Sequence, residues 1–337
     1  MTTERSRASG RPTLDQVASR AGVGRGTVSR VVNGSDKVSA GARRAVESAI
    51  AELGYVPNRA ARTLVTQRTD SIALVIFESG RRFFAEPFFG RIVQSISSAL
   101  VGRNLQLLLM IAQSPEERHR TEGFLTRQHV DGALLLSLHG DDALPAKLEE
   151  RGVATVRAGR PTGVIGGQTF VDADNRGGAR AAVEYLQMRG RRRIAAIAGP
   201  QDMAPGVARL AGYRDVVGPG AVVVGDFSEE SGETAMRRLL DQHPDLDAVF
   251  AASDLMAAGA MRVLRESGRR VPDDVAMVGF DDSSIAGHTD PGLTSVHQPI
   301  EEMGEEMVRL LLAKVDGTDL GQHEVVLPTR LVPRGSA

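Results

Sequence analysis

Polar and apolar positions follow a helical beat at the start of the chain. Leu14, Val17, Ala18 and Ala21 recur at three- and four-residue spacing, the stripe that lays one helix face on a core. Thr13 and Gln16 frame the start as a capping box, in which hydroxyl and amide side chains satisfy backbone donors, and Gly22 ends the helix. Thr27, Val28, Val31 and Val32 mark a second short helix that stops at Asn33-Gly34. A third begins near Ser39, runs through Val46, Ala49, Ile50 and Leu53, and stops at Gly54. Two short helices joined by a tight glycine turn, with a third in support, predict a helix-turn-helix module.

From Ser71 the rhythm changes. Apolar runs at 72–77, 105–111, 133–138 and 153–156 alternate with helical patterns near 89–102, 115–129 and 142–151. A second set of runs lies at 168–171, 194–198, 221–224, 248–252 and 275–278, with helical patterns near 175–189, 207–217, 229–241 and 254–267. Strands alternating with helices predict parallel sheets covered on both faces, and two such sets predict two similar subdomains with a cleft between them. The expected fold class is α/β: a small all-α helix-turn-helix head followed by two doubly wound parallel-sheet subdomains. In such sheets ligands bind beyond the carboxyl ends of the strands.

Composition narrows the function classes. At 337 residues the chain has room for about two domains, or three small ones. It is 42% hydrophobic and 25% charged, ordinary values for a globular protein. No apolar run approaches the roughly 18 residues of a membrane span, and MTTERSRASGRPT lacks an apolar signal segment, so a cytoplasmic location is expected. The absence of cysteine removes disulfides, thiolate metal sites and a cysteine nucleophile. A net charge of −1 hides an asymmetry. Residues 1–66 carry 11 Lys/Arg against five acids, a net +6, which leaves −7 on the remainder. A basic head on an acidic body points to an anionic partner at one end, nucleic acid or a membrane surface. A solvated charged face is the plain alternative.

The stretch TLDQVASRAGVGRGTVSRVVNGSDKVSAGARRAVESAIAELGYVPNRAARTL resembles the DNA-binding head of the LacI/GalR family of bacterial transcription regulators. The likeness continues through VDADNRGGARAAVEYL, RRRIAAIAGP, RLAGYRDV, GDFSEESGETAM, AASDLMAAGAM and VGFDDSSIAGHTDPGLTSVHQP, so nearly the whole chain is covered. The resemblance implies a homodimeric or tetrameric regulator, usually a repressor, whose body is periplasmic-binding-protein-like and takes a small effector. It divides the chain into a head at 11–57, a hinge helix and linker at 58–69, and an effector-binding and dimerisation domain at 70–337.

The chemistry of the head agrees with that likeness. Arg25, Gly26, Thr27, Ser29 and Arg30 lie at or near the start of the second helix, where a recognition helix offers side chains to the major groove of double-stranded DNA. An arginine there can donate two hydrogen bonds to guanine O6 and N7. The resemblance places Arg25 and Gly26 at the main specificity positions, while Thr13, Thr27, Arg30, Asn33, Tyr55 and Asn58 suit backbone or supporting contacts. Gly24 departs from the serine common in the family, which puts one cap or phosphate contact in doubt. Residues 58–66 are too few to hold a helix alone. The family folds this hinge on its palindromic operator and inserts a leucine into the minor groove; the matching residue is Leu64.

In the body the resemblance assigns Arg209 as an effector-contacting arginine, and a guanidinium fork suits vicinal hydroxyls or a carboxylate. Asp281, directly after a strand, suits hydroxyl donors. Phe88 and Phe227 match positions that can stack on a sugar or base, with burial in the core as the plain alternative. Ser253 and Asp254 stand where many sugar-responsive members have Asn-Asp, and Arg160 is a further cleft candidate. Catalysis finds no support: the seven histidines form no HxH or HExxH pair, and neither GxSxG nor a phosphate-binding GxxxxGK[ST] loop is present. No cofactor, metal or catalytic residue is expected. The expectation is a repressor of sugar uptake or catabolism genes released by a small sugar. The alternatives are a purine- or phosphosugar-responsive regulator in which the ligand promotes DNA binding, a solute-binding protein, and an enzyme on the same body. The tail LVPRGSA contains a thrombin-cleavable string and reads either as a cloning scar or as a continuation of the family pattern.

Overall fold

The computed structural model describes residues 12–32, 34–56, 68–127, 129–161, 168–318, 321 and 323–337. Asn33, Asn58, Leu64 and the segment 58–66 lie outside the described residues. The chain divides into two compact units, Met1–Thr69 and Asp70–Ala337.

Among the described residues the first unit holds three helices, α1 (Leu14–Ala21), α2 (Arg25–Val32) and α3 (Ala40–Leu53). The capping box forms: the Thr13 hydroxyl accepts from the Gln16 amide at 3.3 Å, and the Gln16 side chain accepts from the Thr13 amide at 2.8 Å. Gly22 ends α1 in the left-handed region at φ 66°, which only glycine adopts without strain, and so turns the chain sharply into α2. Val17, Val28 and Val46, one from each helix, are fully buried together and form the centre of this small core.

The second unit contains two six-stranded sheets. In the first, β1 (Ser71–Ile76), β2 (Gln106–Ile111), β3 (Gly132–Leu136), β4 (Ala154–Ala158), β5 (Phe170–Ala173) and β11 (Glu324–Leu327) stand in the order β11-β5-β4-β3-β1-β2, every neighbour parallel. Its helices are α4 (Gly80–Ala85), α5 (Pro87–Val101), α6 (Pro115–Leu125), α7 (Leu144–Glu150) and α13 (Ile300–Val315). Ile72, Leu74 and Ile76 of β1 pack with Phe89, Ile92 and Ile96 of α5 and Met307 and Leu311 of α13. Ala73, Val75 and Leu135 face the opposite layer. This use of alternate residues for opposite cores explains why the strands read as unbroken apolar runs.

The second sheet joins β6 (Ile194–Ala198), β7 (Val222–Val224), β8 (Ala248–Ala251), β9 (Ala276–Asp281), β10 (Thr294–His297) and β12 (Arg330–Val332) in the order β12-β10-β9-β8-β6-β7. All pairs are parallel except β10 with β12. Around it lie α8 (Asn175–Met188), α9 (Ala204–Val217), α10 (Glu229–Gln242), α11 (Asp254–Glu266) and α12 (Ser284–His288).

One expectation needs correction. The apolar run at 168–171 reads as the start of the second set, but β5 pairs with β4 in the first sheet, Arg157 opposite Phe170. Periodicity gives the succession of strands, not their partners. The chain passes between the halves three times: at Asp174 after β5, at residues 298–299 before α13, and at 328–329 between β11 and β12.

The tail is an integral part of the second sheet's edge. Beyond β12, the Ser336 hydroxyl donates to the Met277 carbonyl at 2.6 Å and accepts from the Thr294 amide at 2.8 Å, fully buried. The Arg334 guanidinium donates to the Leu293 carbonyl at 2.8 Å and to Asp282 at 2.6 Å.

Candidate functional site

Two places concentrate the chemistry. On the head, α2 buries Val28 and Val31 and leaves Arg25, Gly26 and Arg30 exposed. The Arg25 side chain is 71% exposed and lies 3.6 Å from Asp15 of α1. So loose a surface pair is worth little, and the guanidinium is available to an acceptor in solution. A Cβ added at Gly26 would meet nothing within 4 Å, which leaves an open notch beside Arg25. Thr13 is exposed and caps α1, whereas Tyr55 packs into the head's core at 9% exposure. Tyr55 therefore supports the fold from within.

In the body, a chamber open to solvent lies between the two halves, at the carboxyl ends of their strands. Phe88, Arg209, Phe227 and Asp281 all line it. Arg209 of α9 is 4% exposed; it donates to the Asn175 side-chain oxygen at 2.8 Å, to the Ala252 carbonyl at 2.6 Å and to Asp281 at 3.1 Å. Its guanidinium also stacks 3.7 Å from the Phe280 ring centroid. Asp281 accepts a further bond from Gln298 at 2.6 Å. Burial raises the Asp281 carboxyl above the usual range, against the opposing pull of Arg209. Asp281 and Phe227 hold left-handed backbones at φ 105° and 71°, strain of a kind that gathers at ligand sites. A Cβ on Gly199 would run into the Phe227 ring, so the glycine makes room for that aromatic wall.

Three effector candidates stand elsewhere. Arg160 lines a neighbouring opening with Asp141, Asp174 and Arg176. The Ser253 hydroxyl accepts from the Met256 amide at 3.2 Å, capping α11, and donates to the Phe227 carbonyl at 3.4 Å. Asp254, 1% exposed, accepts from the Ser283 amide at 2.7 Å and the Ser295 hydroxyl at 2.6 Å. Its carboxyl is pushed up to about 8 by burial and by the nearby Asp281. Neither Ser253 nor Asp254 reaches the chamber wall; Ser253 bonds to Phe227, which does, and Asp254 to Ser283 and Ser295 behind it.

Sequence reasoning misses most of the polar wall. Arg157 near the end of β4 and Asp172 in β5 line the chamber with Arg82, Glu86, Asn175 and Gln298. The rule that ligands sit beyond strand ends signals Arg157 and Asp172 once β4 and β5 are placed. Glu86 gives no such signal. It occupies the N-cap of α5 yet makes no capping bond, turning its carboxylate instead to the Arg82 guanidinium at 3.1 Å. Burial raises Glu86 to about 7, with Arg82 opposing. Burial likewise raises Asp172 and lowers the Arg157 guanidinium.

Residues 13–58 match the family of bacterial regulatory proteins of the lacI type, and residues 183–337 match the periplasmic binding protein-like domain. The HTH-type transcriptional regulator CelR of Thermobifida fusca is 56% identical over 334 residues, covering 97% of this chain and 98% of its own. This chain belongs to the LacI family. It is a transcriptional regulator with a helix-turn-helix head and a periplasmic-binding-protein-like body. The ribose operon repressor of Escherichia coli strain K12 is 33% identical over 96% of this chain and 99% of its own. Among solved structures, a CelR–cellobiose complex superposes with a TM-score of 0.77 at 54% identity, covering 97% of this chain and all of that one. The lac repressor dimer bound to operator and the anti-inducer ONPF superposes at 0.85 and 30% identity, covering 97% and 99%.

Proposed function

We propose that this LacI-family regulator represses genes of sugar uptake or catabolism and leaves a palindromic operator when a neutral sugar enters the chamber. The observation that carries this reading is the balance of the wall. Glu86, Asp172 and Asp281 stand against Arg82, Arg157 and Arg209, with Phe88 and Phe227 among them. Paired donors and acceptors beside aromatic rings suit a polyhydroxylated ring, whose hydroxyls both give and take hydrogen bonds. Each arginine of the wall is matched by a carboxylate, so no surplus positive charge is left for a phosphosugar's dianion, which weighs against that form of the corepressor alternative. The solved complex of the similar CelR with cellobiose makes a disaccharide the first ligand to test.

In this reading residues 11–57 read DNA, 58–69 form the hinge, and 70–337 bind effector and a second copy. Arg25 and Gly26 face the bases, while Thr13, Thr27, Ser29, Arg30, Asn33, Tyr55 and Asn58 position or support them, and Leu64 wedges the minor groove. Dimerisation is supported by β2, an edge strand with Leu108 and Leu109 outward, and by Val101, 70% exposed at the end of α5. Apolar edges of this kind call for cover.

Calorimetric titration with cellobiose, glucose 6-phosphate and hypoxanthine, each repeated as operator release, tests the effector. Cellobiose is expected to bind and release DNA; tight binding of the phosphate or purine, with stronger operator binding, rejects the sugar reading. For the head, Arg25→Ala should lose about 1–3 kcal/mol per contact and relax preference at one base in each half-site. Sequence selection showing uniform weakening with an unchanged motif would reduce Arg25 to a phosphate contact.

A further inference from the structure

A row of alternating charges leads from the chamber to the opposite half of the body. Glu86, Arg82, Glu78 and His139 belong to the first half, and Asp202, in the loop after β6, belongs to the second. Arg82 donates to Glu86 at 3.1 Å and to Glu78 at 2.6 Å, and Glu78 is 7% exposed. The two ring nitrogens of His139 face different carboxylates: Nε2 lies 3.4 Å from Glu78 and Nδ1 lies 2.8 Å from Asp202. A neutral imidazole has one donor and one acceptor nitrogen, so it can satisfy one carboxylate and must turn a lone pair to the other. Only the imidazolium donates to both. Beside it the Gly140 amide donates to the Asp202 carbonyl at 2.6 Å, so the halves touch at this spot, as they do where Arg81 pairs with Glu230 at 2.8 Å.

We propose that His139 is a proton-dependent latch across the effector cleft: closing the cleft takes up a proton at His139, and effector binding is therefore strengthened by acid. The inference rests on the chamber being the effector site and adds the regulation of that site. The charged groups facing the ring are Glu78, with Arg82 behind it, and Asp202 from the other half. Asp142, three residues on, is already held by Arg118 at 2.6 Å. The direction follows from the contacts. The Glu78 hydrogen bond raises the affinity of His139 for its proton, burial opposes this, and Asp202 raises it again. Opening the cleft removes Asp202 and leaves Glu78. The closed form is thus favoured below the open-state pKa of His139, and that advantage is lost as pH rises through the closed-state value.

The chain has no cysteine, so Arg120→Cys and Arg238→Cys, one exposed site on each half, can carry spin labels without interference. Pulsed EPR distances on ligand-free protein should show the ratio of closed to open forms falling about three- to tenfold between about pH 6 and about pH 8. His139→Gln and Asp202→Asn should each flatten that dependence, the second at a side chain 59% exposed, where folding is little affected. Glu86, which the opposing half also covers, titrates near the same window, so the comparison is repeated in a Glu86→Gln background, where the pH dependence that remains should belong to His139 and be lost with His139→Gln. Cellobiose affinity should fall with pH in parallel and lose that trend in His139→Gln. A distance distribution indifferent to pH, or one whose pH dependence in the Glu86→Gln background survives His139→Gln, overturns the latch. Failure of cellobiose to bind at any pH would count against the sugar reading instead, and the ligand-free distances still decide the latch.

Discussion

Replacing Arg209 by methionine tests how the chamber is held together before any ligand arrives. Methionine keeps much of the side chain's volume but removes the bonds to Asn175, Ala252 and Asp281. It leaves the Asp281 carboxylate buried with Gln298 as its remaining side-chain partner. Breaking one side of a buried ion pair costs about 3–5 kcal/mol, most of it the charge left behind. Arg209→Met should therefore unfold about 3–5 kcal/mol more easily than wild type near pH 8. Adding Asp281→Asn removes the stranded charge and should recover on the order of 1–2 kcal/mol, a coupling expected only of groups in direct contact. The pH dependence has a definite sign. Without Arg209 the raised Asp281 carboxyl rises further, so between the ordinary carboxylate range and that value the native state binds more protons than the unfolded chain. Stability then increases as pH falls, and the penalty shrinks toward about pH 5. Urea unfolding followed by far-ultraviolet circular dichroism is the assay, since the chain has no tryptophan. A loss below about 1 kcal/mol, or single and double variants equally unstable, would refute the assignment of Arg209 and Asp281 as a coupled pair.

Two further outcomes follow from other contacts. Glu86, raised to about 7 by burial, favours the fold while neutral, and that contribution is lost as pH rises from about 4.5 to about 7. Glu86→Gln, which stays neutral, should overtake wild type in urea midpoint above pH 7 by roughly 1–3 kcal/mol of stability; parallel profiles across that window reject the burial argument. The native protein should resist thrombin despite its LVPRGS string, because Arg334 is tied to Leu293 and Asp282 and Ser336 is buried, whereas a protease needs an extended, accessible strand. Mass spectrometry showing cleavage after Arg334 as fast in the folded protein as in a peptide control would contradict the tail's docking.

Local signals in the sequence carried much of the fold. The Thr13–Gln16 cap, the Gly22 turn and the valines of α2 are decided by neighbours three or four residues away, and each forms as the pattern predicts. The runs that became β1, β3, β6, β8 and β9 were legible because strands buried on both faces admit little but apolar residues. The placement of β5, and the pairing of β12 with β10, were not legible, since a partner strand is chosen by the tertiary path rather than by composition. The site divides along the same line. Arg209, Phe227 and Asp281 were found through family resemblance and now line one chamber. Glu86 and Arg157 were invisible because an N-cap glutamate and a strand arginine look like surface residues until the opposing half covers them. Ser253 and Asp254 lie behind that lining, where Ser253 caps a helix and Asp254 accepts from Ser283 and Ser295.

The position of the chamber's polar residues explains how a small ligand gains purchase on the whole body. Asn175 directly follows the first crossing at Asp174, Asp172 lies two residues before it, and Gln298 forms part of the second crossing. These crossings are lashed together: the Asp174 amide donates to the Leu327 carbonyl at 2.8 Å, and the Thr329 hydroxyl donates to the Asp174 carbonyl at 3.2 Å. A side chain on Gly178 would strike Thr329 and Val296, so the glycine lets the first and third crossings approach. Any turn of one half against the other must pass through these residues, and Arg209 and Asp281 bond directly to Asn175 and Gln298. A ligand that replaces or reinforces those bonds is in contact with the axis of the motion itself. Its differential affinity for two settings of the crossings then sets the shift between them, and no longer relay of side chains through the body is required.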